Sequence, residues 1–211
     1  IAAAYIASLL GVKLKIFAPS DICANKINKI LEHKNKNSAT QNNIELILTN
    51  TRQEAEDGAR SSGYFMHPSG GHEDVIDGVA TIVLEIMEQL KGFDNNEQEV
   101  ELEAIFAPCG GGGLLSGIYK GSRLYSQANN IKVFGCEPAA ANDAYLSIKN
   151  NEIYRFNSSP ITIADSLKAL SLSPLSFSYV KNIEEMLLIE EQEISNMHKL
   201  MTQLHSMEIL S

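Results

Sequence analysis

The sequence predicts an α/β protein in two domains, with open, mostly parallel twisted sheets and helices on both faces. Three observations carry this reading. Short apolar runs alternate with stretches of helical periodicity almost throughout, the order that builds parallel sheets through helical crossovers. A run of four glycines, Gly110–Gly113, stands between one such apolar run and one such helix. Of 211 residues, 44% are hydrophobic and 20% charged, enough for a sizeable core in one large or two modest domains.

The elements follow in order. Residues Ile1–Leu10 read as a helix closed by Gly11, and Leu14–Ala18 as a buried strand. Ser20 or Asp21 is placed to cap a helix through about Leu31, with Ile22, Ile27, Ile30 and Leu31 as its apolar stripe. His33–Asn43 is polar and Asn-rich, a solvated loop. Ile44–Thr49 is a second strand and Thr51–Arg60 a helix whose charges form a solvated face. Tyr64–His67 reads as a short strand ending at Pro68, and this junction divides the chain into units 1–67 and 68–211. Asp74–Leu90 is a long amphipathic helix, followed by a polar loop. Leu102–Ala107 is a strand, Leu114–Tyr125 a helix, Ile131–Cys136 a strand and Asp143–Lys149 a helix. Beyond them lie an element at Ser176–Val180, a strand at Met186–Ile189 and a helix from about Gln192 to Met207.

A net charge of −9 repels a nucleic-acid backbone, so no nucleic-acid partner is expected. The three cysteines, Cys23, Cys109 and Cys136, are widely spaced and fit reduced thiols better than a disulfide framework. No apolar run reaches the length of a membrane span, and no membrane partner is expected. The opening segment lacks a basic n-region and cleavage-site logic, so it reads as a helix entered midway rather than a signal peptide. A cytoplasmic location is the expectation.

The glycine run carries the chemistry. Consecutive glycines are costly in chain entropy and imply backbone that turns sharply or approaches something closely. At a strand-to-helix junction, amide N–H groups and the helix dipole converge on one point, an anion site suited to phosphate. A P-loop is excluded, because no Gly-Lys-Ser/Thr closes the run. A dinucleotide fingerprint begun at Gly110 or Gly111 finds Leu115 or Ser116 at its third glycine position. Glu137, at the tip of the next strand, nonetheless stands where a ribose-binding acid would. A tight turn without a ligand is the remaining reading.

After that strand, Glu137 and Asp143 flank a loop leading into a helix, the oxygen-donor setting that Mg²⁺ or Ca²⁺ requires. Alternatively, Asn142 or Asp143 merely caps the helix AYLSIK. His67 and His72 flank a turn without a zinc pattern, and His198 and His205 read as a surface stripe. Cys109 has no assured base partner and reads as a packed thiol.

The segments APCGGGGLLSGI (Ala107–Ile118), VFGCEPAAANDAYLS (Val133–Ser147) and TIADSLKALS (Thr162–Ser171) resemble the large-domain core of fold-type II pyridoxal-phosphate enzymes. The serine/threonine dehydratase and serine racemase family is the group meant. Upstream, GVKLKIFAP, TRQEAED and HPSGGHEDVIDGVATIVLE fall in the same order, so the resemblance covers nearly the whole chain. It implies that Gly110, Gly111, Gly112, Gly113 and the Leu114 amide cradle the phosphate of pyridoxal 5′-phosphate. Ser166 stands where a glycine lies against the cofactor in the family. The resemblance also implies a structural or allosteric Mg²⁺ or Ca²⁺ held by Glu137, Asp143 and the Ala141 carbonyl.

The activity it implies is elimination of water from serine or threonine, giving a 2-oxo acid and ammonia, with racemisation as the close variant. The substrate would be a small amino acid, and a homodimer is compatible with the resemblance. The family's Schiff-base lysine, in a Ser-Phe-Lys motif, and its Ser-Gly-Asn-His substrate loop would precede Ile1. Lys13, Lys15, Lys26 and Lys168 do not match that motif. The chain is therefore expected to be truncated at both ends, to hold no catalytic residue, and to be inactive alone. Asp77, Val79 and Ala80 replace a smaller, Gly-containing pattern, and Asn35–Asn43 reads as an insertion. A non-catalytic binding remnant and a Rossmann-type nucleotide binder using Gly110–Gly113 and Glu137 are the alternatives.

Overall fold

Every described strand runs parallel to its neighbour, the arrangement that crossover helices impose. The computed structural model describes residues 1–35, 43–64, 71–91, 102–125 and 131–205. They divide into two compact units, Ile1–His67 and Pro68–Ser211. Among the described residues, no helix is long and apolar enough to cross a membrane.

In the first unit, α1 (Ala2–Leu10) grows from an alanine-rich run and stops at Gly11, whose φ of 67° is the left-handed cap that glycine adopts without strain. Strand β1 (Leu14–Pro19) pairs in register with β2 (Ile44–Thr49), Leu14 opposite Ile44. Ala4, Ala7, Ile30 and Ile44 form the core, with Leu14, Ile16 and Leu46 against them.

Helix α2 (Ala24–Asn35) starts later than the sequence suggests. Ser20 and Asp21 belong to a turn instead of a cap, the Ile22 amide donating to the Pro19 carbonyl at 3.1 Å. The helix also runs further, so His33–Asn35 form its last turn rather than a loop, where His33 and Lys34 suit the negative end of the helix. Thr51 caps α3 (Arg52–Ser61) by accepting the Glu54 amide at 3.1 Å. Of the expected Tyr64–His67 strand, Tyr64 sits in a bend and the rest lies outside the described residues.

In the second unit, the sheet order is β3 (Ala104–Pro108), β4 (Lys132–Pro138), β5 (Glu185–Ile189). Helix α4 (Glu73–Lys91) lies against α5 (Gly113–Tyr125). The contact is close because Gly117 and Gly121 face α4. A Cβ on Gly117 would meet Val79 Cγ1 at 2.3 Å, and one on Gly121 would meet the Ala80 carbonyl at 2.4 Å. Val79 and Ala80, larger than the family pattern implied by the resemblance, are thus seated over glycines of α5.

Val83, Leu115, Val133 and Val180 are fully buried in this unit's core. Each contributes about 1.5–3 kcal/mol by leaving water. Helix α6 spans Asp143–Asn150 and α7 Pro174–Val180, with α8 (Glu191–His205) after β5. Ser173 caps α7 and Pro174 opens it, which assigns the Ser176–Val180 element to a helix.

Candidate functional site

The site begins where β3 ends. Cys109 keeps the ladder going, its amide donating to the Cys136 carbonyl at 2.8 Å. The chain then turns through Gly110–Gly112, and Gly112 takes a φ of +84°, which a side chain would rarely tolerate. Helix α5 closes its first bond when the Ser116 amide reaches the Gly112 carbonyl at 2.9 Å. No amide N–H of Gly110, Gly111, Gly112, Gly113 or Leu114 donates to an acceptor among the described residues. These are the orphan donors of a helix N-terminus, with two more from the turn before it.

The walls of the turn are specific. A Cβ on Gly110 would sit 3.1 Å from the Ser166 carbonyl, which places the Asp165–Leu167 3₁₀ turn beside the loop. A Cβ on Gly112 would meet Leu172 Cδ2 at 2.7 Å and Ser176 Cβ at 2.8 Å. Around Gly111 nothing lies within 4 Å, so the turn is open on that side. Gly110 and Ser166, distant in sequence, are brought together; Ser166 itself is exposed.

Behind the loop lie two buried carboxylates. Glu137, 1% exposed at the end of β4, accepts the Tyr145 amide at 2.7 Å and the Ala144 amide at 3.3 Å. It therefore caps α6 from outside the helix, whereas Asn142 makes no side-chain cap bond. Asp143 is equally buried, and its Oδ2 has no partner among the described residues. Burial pushes Glu137 up to about 8, the amides of Tyr145 and Ala144 opposing it and Asp143 adding to it. Burial likewise lifts Asp143 to about 7, against hydrogen bonds from its own amide and that of Leu172.

An unpartnered buried carboxylate oxygen beside a second carboxylate is a donor set that a hard cation fits. Ala141, also buried, lies in the 3₁₀ turn between the two acids. Among the described residues no three His, Cys, Asp or Glu side chains are placed to hold a metal ion together, so a cation here would need backbone oxygen.

Cys109 is buried, and its thiol is pushed up by burial first and by Glu137 and Asp143 next, so it stays protonated and unreactive. His72 is tied to the first turn of α4, its Nδ1 accepting the Asp74 amide at 3.3 Å. His67 lies outside the described residues. Lys15 pairs with Glu45 at 3.5 Å and Lys168 with Asp165 at 3.6 Å.

One cluster had no signal in the sequence. Lys120 on α5 bonds both Glu73 and Asp77 on α4, and Tyr179 on α7 donates to Glu73 at 2.8 Å. Lys120 is held protonated by those carboxylates, and Glu73 is lowered by Lys120 first and Tyr179 second. The partners are 47 and 106 residues apart, beyond any local pattern.

Residues 1–209 match the family described as pyridoxal-phosphate dependent enzyme. The chain belongs to this family. It is 34% identical over 201 residues to a serine racemase of Dictyostelium discoideum, covering 94% of this chain and 57% of that protein. It is also 34% identical over 137 residues to an L-threo-3-hydroxyaspartate ammonia-lyase of Saccharomyces cerevisiae, covering 64% of this chain and 38% of the relative.

Among solved structures, the Dictyostelium discoideum serine racemase superposes with a TM-score of 0.74 at 30% identity, covering 99% of this chain and 62% of that one. A threonine deaminase of T.th. gives 0.75 at 27% identity, covering 98% and 62%. These neighbours are fold-type II enzymes, which establishes the fold class. The chain spans about half the length of the curated relatives it matches. Membership sets aside the dinucleotide reading, and the structure gives a physical reason. The Glu137 carboxylate is buried and turned to the Ala144 and Tyr145 amides, so it is not presented to a ribose at the surface.

Proposed function

We propose that this chain supplies the phosphate-binding part of a pyridoxal-phosphate enzyme that dehydrates a hydroxy amino acid. In this reading residues 1–67 are most of a small domain, and 68–211 are the C-terminal part of the large cofactor-binding domain. The observation that carries it is the row of unbonded amides from Gly110 to Leu114, open at Gly111, in a chain of this family.

Those amides and the positive end of α5 bind the cofactor phosphate. Gly110 and Gly112 let the backbone lie close to its walls, and the Ser166 backbone borders the cradle. Pyridoxal phosphate, when bound, supplies an electron sink for the bond broken at the substrate Cα. Glu137 and Asp143, with the Ala141 carbonyl, would hold Mg²⁺ or Ca²⁺, supplying a structural rather than a catalytic charge.

Net reaction on serine or threonine gives a 2-oxo acid and ammonia. The serine racemase relative supports racemisation as the second reading, and the hydroxyaspartate ammonia-lyase extends the candidate substrates to an acidic hydroxy amino acid.

Thermal shift tests the cradle directly, since a ligand that binds only the folded state raises the midpoint. Pyridoxal phosphate should stabilise the chain, pyridoxal without phosphate should not, and NAD should be silent. Equal stabilisation by pyridoxal and its phosphate would remove the cradle from the reading.

A further inference from the structure

We propose that Glu191 is a positioning residue of the cofactor site, its carboxylate holding the Ile163–Ser166 segment against Gly110. The proposal rests on the phosphate-cradle reading of Gly110–Leu114. Glu191 opens α8, and its Oε2 accepts the Ile163 amide at 2.9 Å, a tie across 28 residues. The segment is then fastened within itself. The Ala164 amide donates to Thr162 Oγ1 at 3.1 Å, the Asp165 amide to the Ile163 carbonyl at 2.9 Å, and the Leu167 amide to the Ala164 carbonyl at 2.9 Å. Its far end places the Ser166 carbonyl 3.1 Å from the position of a Gly110 Cβ. Moving Ile163 moves the wall of the cradle.

Glu191 is not needed to cap its own helix. That work belongs to Glu193, whose Oε2 accepts the Glu190 amide at 3.0 Å, one half of a capping box, while the Glu193 amide donates to the Glu190 carbonyl at 3.0 Å. Of the acids at the start of α8, Glu191 alone is bonded to the cradle wall among the described residues. Its other oxygen, Oε1, is shielded from water without a donor among them. A buried acceptor left unpaired is destabilising, so a carboxylate here is a costly way to make a merely structural tie. Ile163 is 51% exposed, so the tie anchors backbone rather than a packed residue.

The test compares the 211-residue chain with Glu191→Ala and Glu191→Gln, measuring pyridoxal phosphate affinity by equilibrium dialysis and amide exchange across residues 162–167. Glu191→Ala should speed exchange in that segment and weaken affinity about tenfold, the worth of one charge-assisted hydrogen bond. Glu191→Gln keeps an acceptor for the Ile163 amide and should restore affinity to within about threefold. Unchanged affinity in Glu191→Ala overturns the proposal alone, as does a Glu191→Gln variant as weak as Glu191→Ala. A wild-type chain indifferent to pyridoxal phosphate overturns the cradle reading, and this proposal with it.

Discussion

Glu137 accepts the amide N–H of Tyr145 at 2.7 Å, which fastens the end of β4 to the first turn of α6 with a fully buried carboxylate. Its neighbour Asp143 is buried as deeply and has an oxygen left over. Burial is the leading cause of the upward shift in both, so the folded chain holds protons that the unfolded chain releases. The window runs from the ordinary values of 4.5 and 3.8 up to about 8 and about 7. Folding takes up protons there, so stability falls as pH climbs through it. A divalent cation needs the ionised oxygens and opposes that fall. In chelator, the thermal midpoint should drop between about pH 5 and about pH 8, and Ca²⁺ should restore it only at the upper end. Glu137→Gln should flatten the profile; a midpoint rising with pH in chelator would contradict the assignment.

The two central glycines of the cradle should part company on substitution. Gly112→Ala places a Cβ on a left-handed backbone at φ +84° and within 2.8 Å of Leu172 and Ser176. A loss of about 1–3 kcal/mol is expected. Gly111→Ala meets nothing within 4 Å and should leave stability nearly unchanged. Denaturant midpoints read the difference, and comparable losses for both variants would count against the loop conformation.

Much of this fold was legible because periodicity survives in a single sequence. Ile44–Thr49 is a strand with the bounds its apolar run suggests, and the helix read over Thr51–Arg60 is present as Arg52–Ser61, with Thr51 its cap rather than its first residue. The late start of α2 was not legible, because Ser20 and Asp21 satisfy a cap pattern while the turn at Pro19–Ile22 decides the outcome. The cap on α6 was missed for a similar reason. Local reading favours Asn142 or Asp143, but the amides are taken by Glu137, an acid already committed to a strand. At the site, the glycine loop announced itself through backbone cost. Glu191 and Glu73 did not, since ties to Ile163 and Tyr179 across long separations leave no local trace.

Lys120 joins α5 to α4 through Glu73 and Asp77, and Tyr179 adds α7 through the same Glu73 oxygen. Lys120→Met keeps the stem that lies along the helix and removes only the charge. The variant should melt a few degrees lower, and the deficit should shrink in high salt because these groups are partly exposed and screened. A deficit unaffected by salt would assign the loss to packing rather than to the ion pairs.

The α4–α5 contact gives the sharpest packing test, because its two glycines meet different obstacles. At Gly117 the nearest atoms belong to the Val79 side chain, at 2.3 and 2.5 Å; at Gly121 the nearest is the Ala80 backbone carbonyl, at 2.4 Å. A side chain can be trimmed, whereas a carbonyl moves only with its helix. Gly117→Ala should cost about 1–3 kcal/mol; pairing it with Val79→Gly, which removes both the Cγ1 and the Cβ in the way, should recover part of the loss, whereas Val79→Ala keeps the Cβ 2.5 Å away and should not. Gly121→Ala should resist rescue by Ala80→Gly, because the obstructing oxygen belongs to the main chain and remains. Chemical denaturation of the double variants separates these cases. Equal rescue at both positions would mean that the helices slide apart freely, so that α4 does not fix the seat of α5 and its N-terminal amides.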